Sequence, residues 1–118
     1  MARAADVYRK TEETEIKVQI NLDGEGQNNI QTPAFFFNHM LNLFSRHALF
    51  DLDIEANGDI EVDFHHLVED VGIVLGEVFL KALGNKQGIR RYGSFYVPMD
   101  EALAFCSVDI SGRPFIFF

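Results

Sequence analysis

An alternating stretch near the start of the chain restricts its fold more than any other feature. From position 14 to position 22 every second residue is apolar or Thr, and the residues between are Glu, Lys, Gln and Asn. Successive side chains of a strand point to opposite faces, so the pattern predicts a strand with one buried and one solvated face. Such a strand needs a second layer to cover it. A hydrophobic content of 47%, with 12 Phe, is enough to build one.

Two helices are predicted to form that layer. Thr32-Pro33 is typical of a helix start, and this helix would run to about His47 with a stripe of Phe36, Met40 and Leu43. Asp63 is expected to cap a second helix that runs to about position 83 and stops at a glycine. After a turn at 23–26 the chain is expected to return as a short strand. The predicted strands are 14–22, 28–31, 52–56, 94–97, 103–110 and 115–118.

The composition argues against several classes of partner. The net charge is −8, and no Lys/Arg cluster offers a surface for nucleic acid or for an anionic membrane. No apolar stretch approaches the roughly 20 residues of a bilayer span, and the first residues lack a signal segment. The single cysteine, Cys106, excludes an internal disulfide and is expected to be a small buried residue. We therefore expect a cytoplasmic protein.

The pair His65-His66, followed by Glu69 and Asp70, is the strongest candidate for chemistry. His65 and Glu69 share a helix face and would chelate one divalent ion, while His66 points about 100° further round toward a second. Imidazole with carboxylate suits manganese, iron or zinc better than magnesium. The alternative is a set of polar first-turn residues near a cap, with acids that favour the helix dipole.

Other candidates are ambiguous on their own. His39 is either a hydrogen-bonded core histidine or a further ligand, and His47 is expected to cap carbonyls at the end of its helix. Arg91 and Arg113 are surface charges or, beside a metal site, groups that grip a phosphate through forked hydrogen bonds.

Several motifs, in the right order over nearly the whole chain, resemble the imidazoleglycerol-phosphate dehydratase family. They are Thr11-Glu12-Glu13-Thr14-Glu15-Ile16, Phe36-Phe37-Asn38-His39-Met40-Leu41, Asp63-Phe64-His65-His66-Leu67-Val68-Glu69-Asp70-Val71-Gly72, Leu83-Gly84-Asn85-Lys86-Gln87-Gly88-Ile89, Pro98-Met99-Asp100-Glu101-Ala102-Leu103 and Val108-Asp109-Ile110-Ser111-Gly112-Arg113-Pro114. The resemblance implies an α+β half-domain of the dehydratase fold (ribosomal S5 domain 2-like), with a βαβ-type mixed sheet packed on two helices. Residues 1–88 would be the first repeat, and residues 89–118 the opening strands of a truncated second one.

The resemblance also implies an activity and a site. The family is a manganese-dependent lyase of histidine biosynthesis that removes water from imidazole glycerol phosphate to give imidazole acetol phosphate. His39 and His66 would bind one Mn²⁺, and His65 and Glu69 the other. Glu13 would be the catalytic proton-transfer residue. The implied substrate contacts are Glu13, His47, Arg91 and Arg113, and the residues implied to support the ligands are Asn38, Asp63 and Asp70.

The chain departs from the family at three positions and in length. The family usually has Asp at Asn38, Asp at Phe64 and Thr at Leu67, and we expect the changes at Asn38 and Phe64 to weaken metal affinity or ligand orientation. It also has a second double-His helix, which this chain lacks, and its subunits form 24-subunit homo-oligomers with sites at interfaces. We therefore expect an incomplete enzyme, with a non-catalytic metal-binding or assembly module as the alternative.

Overall fold

The structure, a computed structural model, describes residues 2–118. Its elements are β1 (Ala4–Lys10), β2 (Thr14–Asn21), β3 (Asn28–Gln31), α1 (Phe35–Ala48), β4 (Asp51–Gly58), α2 (His65–Leu83), β5 (Tyr92–Met99) and β6 (Ala102–Asp109). The chain divides into two compact units, the first ending at Asn85 and the second running from Lys86 to Phe118. In the part of the chain that is described, no helix is both long and apolar enough to cross a bilayer.

Four strands of the first unit form one mixed sheet in the order β1-β2-β4-β3. β2 runs antiparallel to β1 and β4, whereas β3 runs parallel to β4. The register sets Ile16 opposite Ala56 and Val18 opposite Ile54, so the apolar rows of the two central strands share a face. The predicted α+β class and mixed sheet are confirmed. The strand at 28–31 exists, but its partner is β4 and not the strand before it.

Both helices cover the apolar face of this sheet. α2 packs on β1, β2 and β4, and α1 packs on β3 and β4. The buried residues of α2 are Leu67, Asp70, Val71, Val74, Val78, Ala82 and Leu83. The outward residues of β2 and β4 stay polar and largely exposed. The core is therefore one layer between the sheet and the two helices, as the alternation predicted.

The two helices end largely where the sequence indicated, but their starts differ. α2 stops at Gly84, whose φ of 59° suits a residue without a Cβ. Its N-cap is Phe64 and not Asp63, although the Asp63 carboxylate accepts a hydrogen bond from the His65 N–H at 2.9 Å. α1 starts at Phe35 and not at Thr32, because the Thr32 hydroxyl accepts the Ala34 N–H and forms a local turn there.

The buried side of α1 also differs from the predicted aromatic stripe. Only Leu41 and Ser45 are buried, whereas Phe36 and Met40 are exposed. The Ser45 hydroxyl donates to the Phe50 carbonyl at 2.6 Å. Phe50 in turn packs edge-on against Phe44 and Phe79, with ring centroids 5.7 and 5.6 Å apart. This aromatic chain joins α1, the start of β4 and α2.

Two strand predictions are wrong at the ends of the chain. β1 is present but was not expected, because its inward positions are Ala5, Val7 and Arg9, of which only Val7 is a strong strand former. Residues 115–118 form no strand and are exposed, since no strand of the described chain pairs with them.

The second unit contains a two-stranded antiparallel ribbon made of β5 and β6. Every residue of both strands is exposed, including Phe95 and Phe105. Cys106 lies on this ribbon and is exposed, so the expectation that it is buried is wrong. A ribbon of two strands has no second layer that would cover its apolar residues.

An exposed ion pair between Arg3 and Asp23 makes the stability of the fold depend on pH in the acid range. The Asp23 carboxylate accepts hydrogen bonds from the Arg3 guanidinium, and these lower the pKa of Asp23 to about 2. Because this pKa lies below the usual value near 3.9, Asp23 stabilises the fold above about pH 4, and this contribution disappears as pH falls to about 2.

We therefore expect Asp23→Asn to lower the thermal midpoint slightly at neutral pH, because exposed ion pairs contribute little to stability. It should also flatten the decline of the midpoint between about pH 4 and pH 2. Thermal unfolding followed by circular dichroism across this range is the measurement. Arg3→Ala should reproduce part of the effect, since it removes the guanidinium hydrogen bonds while the backbone N–H of residue 3 still donates to Asp23. Superimposable acid profiles of the wild type and Asp23→Asn would contradict it.

Candidate functional site

The first turn of α2 places two histidines beside two carboxylates. Leu67 is completely buried against the sheet and fixes the rotation of the helix, so that its neighbours project outward. His65 Nε2 lies 3.5 Å from Glu69 Oε2, and the two side chains are 69% and 55% exposed. The predicted sharing of one helix face is therefore present as a direct contact in open solvent.

His66 lies beside His65 on the first turn of α2 and contacts a residue from a distant part of the sequence. Its Nδ1 lies 3.5 Å from Oε2 of Glu13, and both side chains are about half-exposed. Glu13 belongs to the turn between β1 and β2, which packs beside the start of α2. The His65 and His66 rings lie 5.4 Å apart. The structure thus brings together Glu13, His65, His66 and Glu69, all of which the sequence singled out.

Asp70 points inward, unlike its neighbour Glu69. It is buried, and one carboxylate oxygen accepts a hydrogen bond from the Thr14 hydroxyl. Thr14 is therefore a member of this region that the sequence did not identify. The only sequence feature that pointed to Thr14 as a site residue was its position next to Glu13 in the motif shared with the dehydratase family.

The candidates on α1 have separate surroundings. His39 is exposed, and its ring centroid lies 6.4 Å from that of Phe36. His47 is exposed in the last turn of α1. The Asn38 amide donates to the Thr32 carbonyl at 2.9 Å. Among residues 2–118 no group of three or more His, Cys, Asp or Glu is arranged to hold a metal ion.

The candidate arginines belong to the second unit. Arg91 makes a forked contact with Asp109, with Nε 2.6 Å and the terminal nitrogen 3.2 Å from the two carboxylate oxygens. These hydrogen bonds raise the pKa of Arg91 and lower that of Asp109. Arg113 lies in a turn in which its N–H donates to the Ser111 hydroxyl. Asp109 was not identified from the sequence as the partner of Arg91, because the contact depends on the pairing of β5 with β6.

The donors at the start of α2 fit a first-row divalent cation. Two ligands of one ion, each at about 2.1 Å, can lie up to about 4.2 Å apart, so the 3.5 Å between His65 and Glu69 suits a shared metal. His66 contacts Glu13 through Nδ1, so Nε2 is the ring nitrogen that a metal would use. A carboxylate on the other ring nitrogen is the arrangement that usually orients a metal-bound histidine. Imidazole with carboxylate suits manganese, iron or zinc.

Fold and site together define an α+β domain that presents paired histidine and carboxylate donors at a helix start. The family model described as imidazoleglycerol-phosphate dehydratase matches residues 32–118. The chain belongs to the imidazoleglycerol-phosphate dehydratase family.

Individual relatives agree with this assignment. The dehydratase of Clostridium botulinum strain Hall is 67% identical over 112 residues, which are 95% of this chain and 57% of the relative. The Acetivibrio thermocellus dehydratase is 59% identical over 118 residues, covering 100% and 60%. The crystal structure of the Staphylococcus aureus dehydratase superimposes with a TM-score of 0.80 at 41% identity, covering 95% of this chain and 60% of that one. The chain spans about 57–60% of the length of these curated relatives.

Proposed function

We propose that this chain provides part of a manganese-dependent active site that removes water from imidazole glycerol phosphate to give imidazole acetol phosphate. The observation that carries the proposal is the cluster of Glu13, His65, His66 and Glu69 in a member of the dehydratase family. A relative that bears the name of this enzyme is 67% identical to the chain over 112 residues.

His65 and Glu69 would hold one Mn²⁺, and His66 with His39 would hold the other. Bound divalent ions lower the cost of negative charge on a coordinated imidazole, which is otherwise a poor acceptor of electrons. The 3.5 Å separation of His65 and Glu69 supports the first assignment. The second requires His39, whose exposed imidazole is accessible to a ligand.

Glu13 would transfer the proton that leaves carbon. Its carboxylate lies beside the start of α2 and is half-exposed, so it can bind a substrate from solvent while it contacts His66. A carboxylate oxygen is a suitable base for this step once the substrate lies within hydrogen-bond reach. Asn38, Asp63 and Asp70 would support the ligand-bearing turns, as the Asp63 contact with the His65 N–H illustrates.

Arg91 and Arg113 would bind the phosphate of the substrate, and His47 would be a further substrate contact. The forked geometry of Arg91 with the Asp109 carboxylate is the geometry that a phosphate also satisfies. Each metal needs more ligands than the described residues supply, so we propose that a homo-oligomer completes the sites. We place the protein in the cytoplasm, where its one cysteine would stay reduced.

The test is a turnover assay of the purified chain on imidazole glycerol phosphate with and without added Mn²⁺, together with its metal content by mass spectrometry. We expect the chain to bind manganese and product formation to require it. Turnover that persists after chelation of all metal would contradict the proposal.

A second candidate function is a metal-binding or assembly module without turnover. It is favoured by the contact between His65 and Glu69, which supplies two cation donors without requiring any group that acts on a substrate. Manganese bound without dehydration would select this candidate. A chain with neither metal nor activity would refute both assignments of the site.

A further inference from the structure

We propose that Thr14 and Asp70 are positioning residues that hold Glu13 against His66. The role serves the dehydration only through Glu13, so it rests on the function proposed above. Asp70 comes from α2 and Thr14 from the first residue of β2, so their hydrogen bond joins the helix that carries His66 to the turn that carries Glu13. It is a contact across 56 residues of sequence.

The burial of this pair gives the contact its strength. Thr14 is 4% exposed and Asp70 is 8% exposed, so water has little access to either group. A buried carboxylate that loses its donor keeps the full cost of removal from water. The helix and the turn are therefore held together at one defined point, one residue away from Glu13.

A second set of hydrogen bonds extends from Thr14 to the backbone of Glu13. The Thr11 and Thr14 hydroxyl oxygens lie 3.2 Å apart, and because Thr14 donates its proton to Asp70, Thr11 is the donor between them. The Thr11 hydroxyl oxygen also accepts the N–H groups of Glu13 and Thr14, at 3.1 and 3.0 Å. Asp70 thus acts on Glu13 through two hydroxyls in sequence.

The other side of the turn contacts the end of β4 and the residue that follows it. The Asp59 N–H donates to the Glu13 carbonyl at 2.8 Å. A Cβ at Gly58 would lie 2.9 Å from the Thr14 methyl and 3.2 Å from the same carbonyl, so only a glycine permits this approach. With its backbone fixed from both sides, Glu13 has only its side-chain torsions left to vary, and its carboxylate remains close to His66.

The experiment uses nuclear Overhauser effects between the Glu13 γ-protons and the His66 ring in the chain without metal. Thr14→Val keeps the shape of the side chain and removes the hydroxyl, and we expect it to reduce this cross-peak by more than half. Thr14→Ser restores the hydroxyl and should restore the cross-peak. Thr32→Val is the matched control, because it removes another buried hydroxyl far from Glu13 in sequence and should leave the cross-peak unchanged.

The outcomes separate this inference from the proposed function. An unchanged cross-peak in Thr14→Val, or equal losses in Thr14→Val and Thr32→Val, would overturn the positioning role whatever the chain binds. Loss of the cross-peak in Thr14→Val, with its recovery in Thr14→Ser, supports the positioning role. If the wild type also binds no Mn²⁺, that finding refutes the proposed metal site and leaves the positioning role standing. If Thr14→Val does not fold, Thr11→Val serves instead, since it removes the hydroxyl that connects Thr14 to the Glu13 N–H. It should reduce the cross-peak, and an unchanged cross-peak would overturn the positioning role.

Discussion

The variant His65→Ala/His66→Ala is expected to lose Mn²⁺ binding by at least about 100-fold, because even groups that only support metal ligands contribute about 10–100-fold to affinity. Both imidazoles are half-exposed or more, and neither is part of the core, so the fold should persist. Titration of free Mn²⁺ by electron paramagnetic resonance measures the affinity directly. In a protein that turns over imidazole glycerol phosphate, the same variant should abolish the manganese-dependent rate.

The matched control for this variant is Glu77→Ala/Lys81→Ala, which changes two exposed residues further along the same helix. It preserves the donors at the start of α2 and should bind Mn²⁺ as the wild type does. Equal affinities of the double histidine variant and the wild type would show that manganese binds elsewhere or only through the backbone. Circular dichroism confirms that both variants retain their helices.

Ile54→Ala should destabilise the first unit by about 3 kcal/mol, since removal of a buried aliphatic side chain costs its transfer energy and leaves a cavity. Ile54 is 1% exposed and lies at the centre of the sheet, opposite Val18 of β2 and Ile30 of β3. Chemical denaturation followed by circular dichroism gives the change in the free energy of unfolding.

The next residue on the same strand is the control. Glu55 points to the polar face, and Glu55→Ala should change the free energy of unfolding by no more than about 0.5 kcal/mol. The two variants remove side chains from adjacent positions of β4 and leave its backbone hydrogen bonds in place. Comparable losses in both would mean that the face assigned to the core is wrong.

The elements with a strong local signal were predictable from the sequence. The alternation in β2 defined its buried face, and a glycine marked the end of α2. Leu49, which ends α1 with a φ of 60°, carries no such signal, because leucine seldom adopts a left-handed conformation. Its conformation depends on the hydrogen bonds that Ser45 makes with the following residues.

The candidate site likewise contains one contact that the sequence predicts and others that depend on tertiary packing. The contact of His65 with Glu69 follows from helical spacing alone. The contact of His66 with Glu13 could be expected only from the family resemblance, since it depends on how the turn after β1 packs beside α2. Thr14 and Asp70 form a pair only after β2 and α2 are packed together, so no local pattern marks them.

The polar outer face of the sheet also disfavours pairing of its strands in a shifted register. A slip of one residue between β2 and β4 would turn every side chain of β2 over, because the period of a strand is two. Lys17 and Gln19 would then enter the core, and Val18 would face water. Burial of an unpaired charge is among the largest penalties available to a mispaired sheet. The same alternation that stabilises the native pairing therefore makes the neighbouring alignments energetically inaccessible.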